Sequence, residues 1–177
     1  MNAAERNFAR VETALKGYLR LLPPGRFMPL FNCAQAGAQP QLSDLGQSVL
    51  PDALMQFLRG MNDKLNTILS LLNQQGLQGD FPVTVLIHDI SGAGLSFSAA
   101  REFELGQAVE VVIILGGQPQ SLAGATGVVI RSEERLGQQV WAMEFKEMRD
   151  SEREKIIQYV VAQQREQLRE RRLSPSS

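Results

Sequence analysis

Residues 89–94, Asp-Ile-Ser-Gly-Ala-Gly, set a carboxylate, a hydroxyl and two glycines at the corner between two apolar runs. Such a corner is either a tight turn or a place that holds a ligand. In the first reading Asp89 and Ser91 hydrogen-bond their own turn. In the second they face outward as acceptor and hydroxyl, and Gly94, lacking a Cβ, lets backbone approach the guest or take a positive φ. Gly92 serves the turn itself. Far upstream, Arg6 and Arg10 stand four apart in Arg-Asn-Phe-Ala-Arg, directly before the first apolar alternation. They are either solvated residues of a terminal segment or a pair of guanidinium groups for an anion.

Other chemistries can be struck out. His88 is the only histidine, so a Ser-His-Asp arrangement would need it, yet it shares a short strand with Ser91 and no nucleophile elbow is present. His88-Asp89 has no further histidines to make a metal hydrolase site. Gly-Ala-Gly-Leu-Ser-Phe lacks the last glycine of a dinucleotide fingerprint and opens a strand, and no Gly-Lys-Ser/Thr loop occurs. The single Cys33 excludes an internal disulfide and a multi-cysteine zinc site. No catalytic residue and no metal ligand is assigned, His88 reads as a strand side chain, and the expectation is a protein that is not an enzyme.

These groups need a scaffold. With 177 residues, 44% hydrophobic and 21% charged, the chain can build one domain with a core. Lys and Arg number 18 against 19 Asp and Glu, so no global field attracts nucleic acid or an anionic membrane, and any anion site is local. The first twenty residues carry charges throughout and no apolar run reaches membrane-span length, which predicts a cytoplasmic protein without membrane insertion.

Val11, Thr13, Leu15, Leu19 and Leu21 share one parity and predict a strand from about 11 to 22. The Pro-, Gly- and Gln-rich stretch after it predicts a long connection with a short strand near Phe27 to Phe31. Pro51 suits a first helical turn and Gly76 a helix C-cap. Between them Leu54, Leu58, Met61, Leu65, Ile68 and Leu72 follow at 4, 3, 4, 3 and 4 residues. This is heptad spacing, with Leu58, Leu65 and Leu72 at a and Leu54, Met61 and Ile68 at d, in a helix of about 51–74. Phe57, Leu69 and Leu71 widen its apolar face. The helix either packs on its own domain or pairs between chains into a homo-oligomer.

From residue 81, five runs rich in β-branched and aromatic residues (81–89, 94–99, 107–115, 122–134 and 138–148) are divided by turn signals. With residues 11–22 they make six strands, and the regular spacing of these five without intervening helices argues for an antiparallel barrel or sandwich. Ser151 and Glu154 have capping-box spacing and open a C-terminal helix over about 150–172. Its first half has an apolar face of Ile156, Ile157, Val160 and Val161, and its second half is polar.

Asp89, Ser91 and Gly94 fit D-x-S-x-x-G, and Arg6 and Arg10 fit R-x-x-x-R, each beside a strand. In this order, with the barrel pattern, the final strand Val-Trp-Ala-Met-Glu-Phe and the closing helix, the chain resembles the PilZ domain family, whose members bind cyclic di-GMP. The resemblance covers residues 5–22 and about 81–165. It implies an α+β, mainly β fold: a six-stranded antiparallel β-barrel in one domain over 1–177, with residues 23–80 inserted between the first two strands. It also implies Arg6, Arg10, Asp89, Ser91 and Gly94 as the site for cyclic di-GMP, a ligand and not a catalytic cofactor. The arginines would hold phosphates and stack on guanines, while Asp89 accepts from guanine N1–H and N2–H. Glu5 stands where members often carry another arginine, which bears on affinity and stoichiometry.

The implied function is a receptor or adaptor in bacterial signalling, such as motility, biofilm or exopolysaccharide control. Residues 1–10 would form a flexible arm that orders on the barrel and remakes a surface for a protein partner. The competing expectation is a PilZ-like protein that binds no nucleotide and acts as an interaction or oligomerisation module through its 51–74 helix.

Overall fold

The computed structural model describes residues 9–31, 51–116 and 121–173, without the side chains at 66, 67, 69–75, 172 and 173. Arg6, most of the proposed arm and the side chain of Leu72 therefore lie outside the described residues. Six strands, β1 (Arg10–Leu21), β2 (Val83–Ser91), β3 (Gly94–Ala99), β4 (Ala108–Gly116), β5 (Ser121–Arg135) and β6 (Gln138–Glu147), are joined by helices α1 (Asp52–Asp80) and α2 (Asp150–Leu173). The strands close into a barrel in the order β1-β2-β3-β6-β5-β4, every neighbour antiparallel.

Alternation puts Leu19, Ile87, Phe97, Val111, Ile113 and Met143 inside, all at most 2% exposed. Small residues make the barrel narrow enough to fill. A Cβ at Gly17 would stand 3.0 Å from the Val112 carbonyl oxygen and 3.1 Å from a Val85 methyl. Ile156 and Val160 of α2 stop one end of the barrel, and both are buried in the same core.

The predicted strand near Phe27 to Phe31 does not form, because the closed barrel has no free edge for it to pair with. The segment lies on the barrel's outer face, held by side chains. Leu30 N–H and Phe31 N–H donate to the Glu110 carboxylate at 3.1 and 2.8 Å, and Thr126 Oγ1 donates to the Phe27 carbonyl at 3.1 Å. Glu110 is fully buried and is neutralised by Arg20, whose Nε and Nη2 both stand 2.6 Å from Oε2. The Arg20 guanidinium in turn covers the Phe81 ring at 5.7 Å.

Helix α1 runs past Gly76 to Asp80, and Phe81 N–H closes it on the Leu77 carbonyl at 2.7 Å. Gly76 is thus not a C-cap. Leu77 and Phe81 bury against Tyr18, Val112, Ile114 and Leu122, and that packing carries the helix through a glycine of poor helix propensity. Above this root the helix stands free of its own barrel among the described side chains: Leu54, Phe57, Met61, Leu65 and Ile68 are 41–63% exposed. Helix α2 also starts earlier than the capping-box pattern suggests. Glu152 and Arg153 N–H groups donate to the Arg149 carbonyl, so Ser151 sits inside the first turn. The buried Glu152 faces the barrel instead and accepts from Gly124 N–H at 2.9 Å.

Candidate functional site

Pairing between β1 and β2 solves the problem set by two distant motifs. Arg10 lies opposite Ser91, and Leu19 lies opposite Val83. The insertion between these strands leaves and returns at the Leu19–Val83 end, so its length does not displace the Arg10–Ser91 end. A β-bulge between Ile87 and Asp89 in the pairing with β3 keeps Ile87 and Ile90 in the core while Asp89 faces Ser96. His88, the bulged residue, meets Ser98 Oγ through Nε2 at 2.9 Å and is a strand side chain.

Asp89 is the centre of the corner. It is only 5% exposed, and both of its oxygens are engaged. Arg10 Nε stands 2.8 Å from Oδ1, an ion pair whose N–H is off the line of a good hydrogen bond. Ser96 Oγ donates to Oδ2, and Arg135 Nη1 approaches the same oxygen at 3.5 Å. Arg10 spends only its inner edge on the carboxylate; its side chain is 46% exposed. Arg135 is further tied to Glu133, which accepts from its Nε at 2.5 Å and also contacts Nη2. These contacts, the Glu133 hydrogen bond first, raise the Arg135 pKa above its ordinary value.

Ser91 makes the turn contacts of the plainer reading. Its Oγ donates to the Gly94 carbonyl at 3.2 Å and accepts from Ala93 N–H at 3.3 Å. Gly94 is required for a reason the sequence did not offer: a Cβ there would lie 2.2 Å from the Met143 carbonyl oxygen, where β6 crosses. Its φ is not positive, so the expectation of a positive φ at this glycine is corrected, and the close approach of β6 is what excludes a Cβ.

Beside this corner, an open cleft of about 650 Å³ separates the start of β1 from the end of α2. Arg10, Glu12, Gln167, Glu170 and Arg171 line it. Gln167 Nε2 donates to the Glu12 carbonyl at 3.4 Å, and Thr13 Oγ1 shares a hydrogen bond with Tyr159 at 2.7 Å, so α2 is laid along the first strand. The structure therefore brings Arg10, Asp89, Ser91 and Gly94 together, and it adds Ser96, Arg135 and the polar half of α2. Ser96 could have been found from its parity with Gly94 on one strand. Arg135 carries no such signal, because it arrives from a hairpin on the other side of β6. Among the described residues no cluster of histidine, cysteine or carboxylate side chains could hold a metal, and no helix is long and apolar enough to cross a membrane.

The family model described as the PilZ domain matches residues 61–162, more than half of the sequence. The chain belongs to the PilZ domain family. The match begins within α1, so the arginine strand β1 of this PilZ chain lies outside it. Among the solved structures that share the fold are two that align over a similar extent of this chain. One is the Bacillus subtilis inhibitor of motility (MotI/DgrA), at 12% identity and a TM-score of 0.53, covering 94% of this chain and 54% of that protein. The PilZ chain thus spans about half the length of that neighbour. The other is a pathogenic protein from Xanthomonas campestris, a tetrameric PilZ domain self-assembled via a helical bundle. It aligns at 16% identity and a TM-score of 0.57, over 92% of this chain and 91% of its own. No curated protein matches by sequence.

Proposed function

We propose that this PilZ protein is a non-enzymatic receptor for cyclic di-GMP that works as a signalling adaptor. The observation that carries this reading is the meeting of Arg10 with Asp89 at 2.8 Å, which joins the two motifs in one corner. The ligand offers two phosphate charges and two guanines. The open edge of Arg10 suits either a phosphate or the O6/N7 edge of guanine. Arg6 lies outside the described residues and enters by its motif spacing. Asp89 acts first as the holder that aims Arg10. Reading guanine N1–H and N2–H would require Asp89 to release a guanidinium as the base arrives. Ser91 and Gly94 shape the corner that the ligand enters.

A micromolar complex needs only about 8 kcal/mol, and each charge-assisted contact is worth roughly 1.5–3 kcal/mol. Few contacts plus stacking suffice. Calorimetric titration with cyclic di-GMP should show wild-type binding and a loss of at least about ten-fold for Arg10→Ala and for Asp89→Ala, roughly 1.4 kcal/mol per decade. Unchanged affinity in both variants would remove the site.

A second reading is favoured by two observations: the Asp89 oxygens are already engaged, and Leu54, Met61, Leu65 and Ile68 of the α1 seam are exposed. In it the PilZ barrel binds no nucleotide and the chain is an oligomerisation module. Self-association fits either reading. Its occupant is a second copy of this chain, because Leu54, Leu58, Met61, Leu65 and Ile68 repeat at the spacing with which helices pack into one another. The helical bundle of the Xanthomonas campestris tetramer supports the same kind of association here. Wild-type protein that associates but gives no heat with cyclic di-GMP would decide for the second reading.

A further inference from the structure

We propose that Arg135 is a further ligand-binding arginine of this site, and that Glu133 is its built-in counter-ion, which a ligand phosphate replaces on binding. This rests on the receptor reading above and adds to it a residue outside both motifs. Arg135 reaches the Asp89 carboxylate from the end of β5, so Asp89 is flanked by two guanidinium groups, Arg10 on Oδ1 and Arg135 on Oδ2. A cyclic dinucleotide with two phosphates has a use for both. Yet the corner is electrically balanced without ligand: Arg10 and Arg135 are offset by Asp89 and Glu133.

The two carboxylates differ in how easily they can be displaced. Asp89 is buried beneath the guanidinium groups and held from below by Ser96. Glu133 lies at the surface, with 37% of its side chain exposed against 44% for Arg135. An exposed pair of this kind contributes little net stability, because water and salt screen it. A phosphate arriving on the corner can exchange with Glu133 at small cost, whereas taking the place of Asp89 would strand a buried charge. Arg135 also stands immediately before the Leu136–Gly137 turn, where both residues have positive φ, 51° and 76°. That tight turn fixes where the guanidinium starts from, so the exchange needs only side-chain rotation.

The test is calorimetric titration of the full chain with cyclic di-GMP at fixed ionic strength, using wild type, Arg135→Ala, Glu133→Gln and the double variant. Arg135→Ala is expected to weaken binding about ten-fold, and Glu133→Gln to tighten it about three-fold. The double variant should bind like Arg135→Ala, since an absent guanidinium cannot be freed. Neither side chain belongs to the core, and circular dichroism with thermal unfolding checks that the variants fold. A wild type that binds while Arg135→Ala binds equally well would overturn this proposal and leave the receptor reading standing. Glu133→Gln that binds no tighter than wild type would overturn the counter-ion exchange. A wild type that fails to bind would overturn the receptor reading, and this one with it.

Discussion

Burying a charge is costly unless it is paired, and Asp89 meets that condition with Ser96 below and two arginines at its rim. The carboxylate and serine of D-x-S-x-x-G could be picked out from residue types alone, since both make the polar contacts their chemistry offers. Gly94 could be picked out too, but not its reason, because that reason is a carbonyl on β6 far along the chain. Gly94→Ala would force β6 away and is expected to cost about 1–3 kcal/mol, the range for overpacking a filled space. Urea unfolding checks it; an unchanged midpoint would mean the strands part without penalty. Leu136 supplies the opposite case. It holds a φ of 51°, a region that a leucine occupies at a cost of roughly 1–2 kcal/mol and that Asn tolerates well. It is fully exposed, so nothing in the core offsets the strain. Leu136→Asn should raise the urea midpoint without changing the hairpin.

At the level of elements, strand pattern was legible because period-2 alternation is local, and all six barrel strands fall close to the expected runs. What was not legible depended on contacts between distant segments. The 27–31 segment has strand-like residues but meets a barrel with no edge to offer, so Glu110 and Thr126 bind its backbone instead. The end of α1 was set by burial of Leu77 and Phe81, not by Gly76. The heptad spacing was fully visible, but whether it faced the home barrel was not; only its exposure answers that. At Leu65, 54% exposed in the single chain, lysine costs a monomer almost nothing. In a bundle the same lysine would bury a charge at the a position of the seam. Light scattering should therefore show a multiple of the chain mass for wild type and a smaller species for Leu65→Lys. A monomeric wild type would remove the second copy from the seam.

For the molecule as a whole, β1 carries the two ends of the design. Arg10 at its start belongs to the proposed ligand corner; Tyr18 and Arg20 near its end lie under the root of α1. About ten residues at roughly 3.3 Å each put these regions on the order of 30 Å apart. Coupling across that distance needs an element with two arrangements that both sites bias. Among the described residues the barrel shows no such element joining the two: it is closed, β1 is paired with β4 over Gly17–Leu21 and with β2 from Arg10 to Leu19, and the interior is filled. The fold instead sets the polar half of α2 across an open cleft from the start of β1, beside the proposed ligand corner and away from α1. Association through α1 and binding at Asp89 are thus expected to be independent. Leu65→Lys should bind cyclic di-GMP with an affinity within about two-fold of wild type, a coupling of less than roughly 0.5 kcal/mol. Saturating ligand should leave the light-scattering mass of wild type unchanged. A ligand-dependent mass would place a switch inside β1, and the bulge between Glu12 and Leu15 in its pairing with β2 is where the strand has slack to shift.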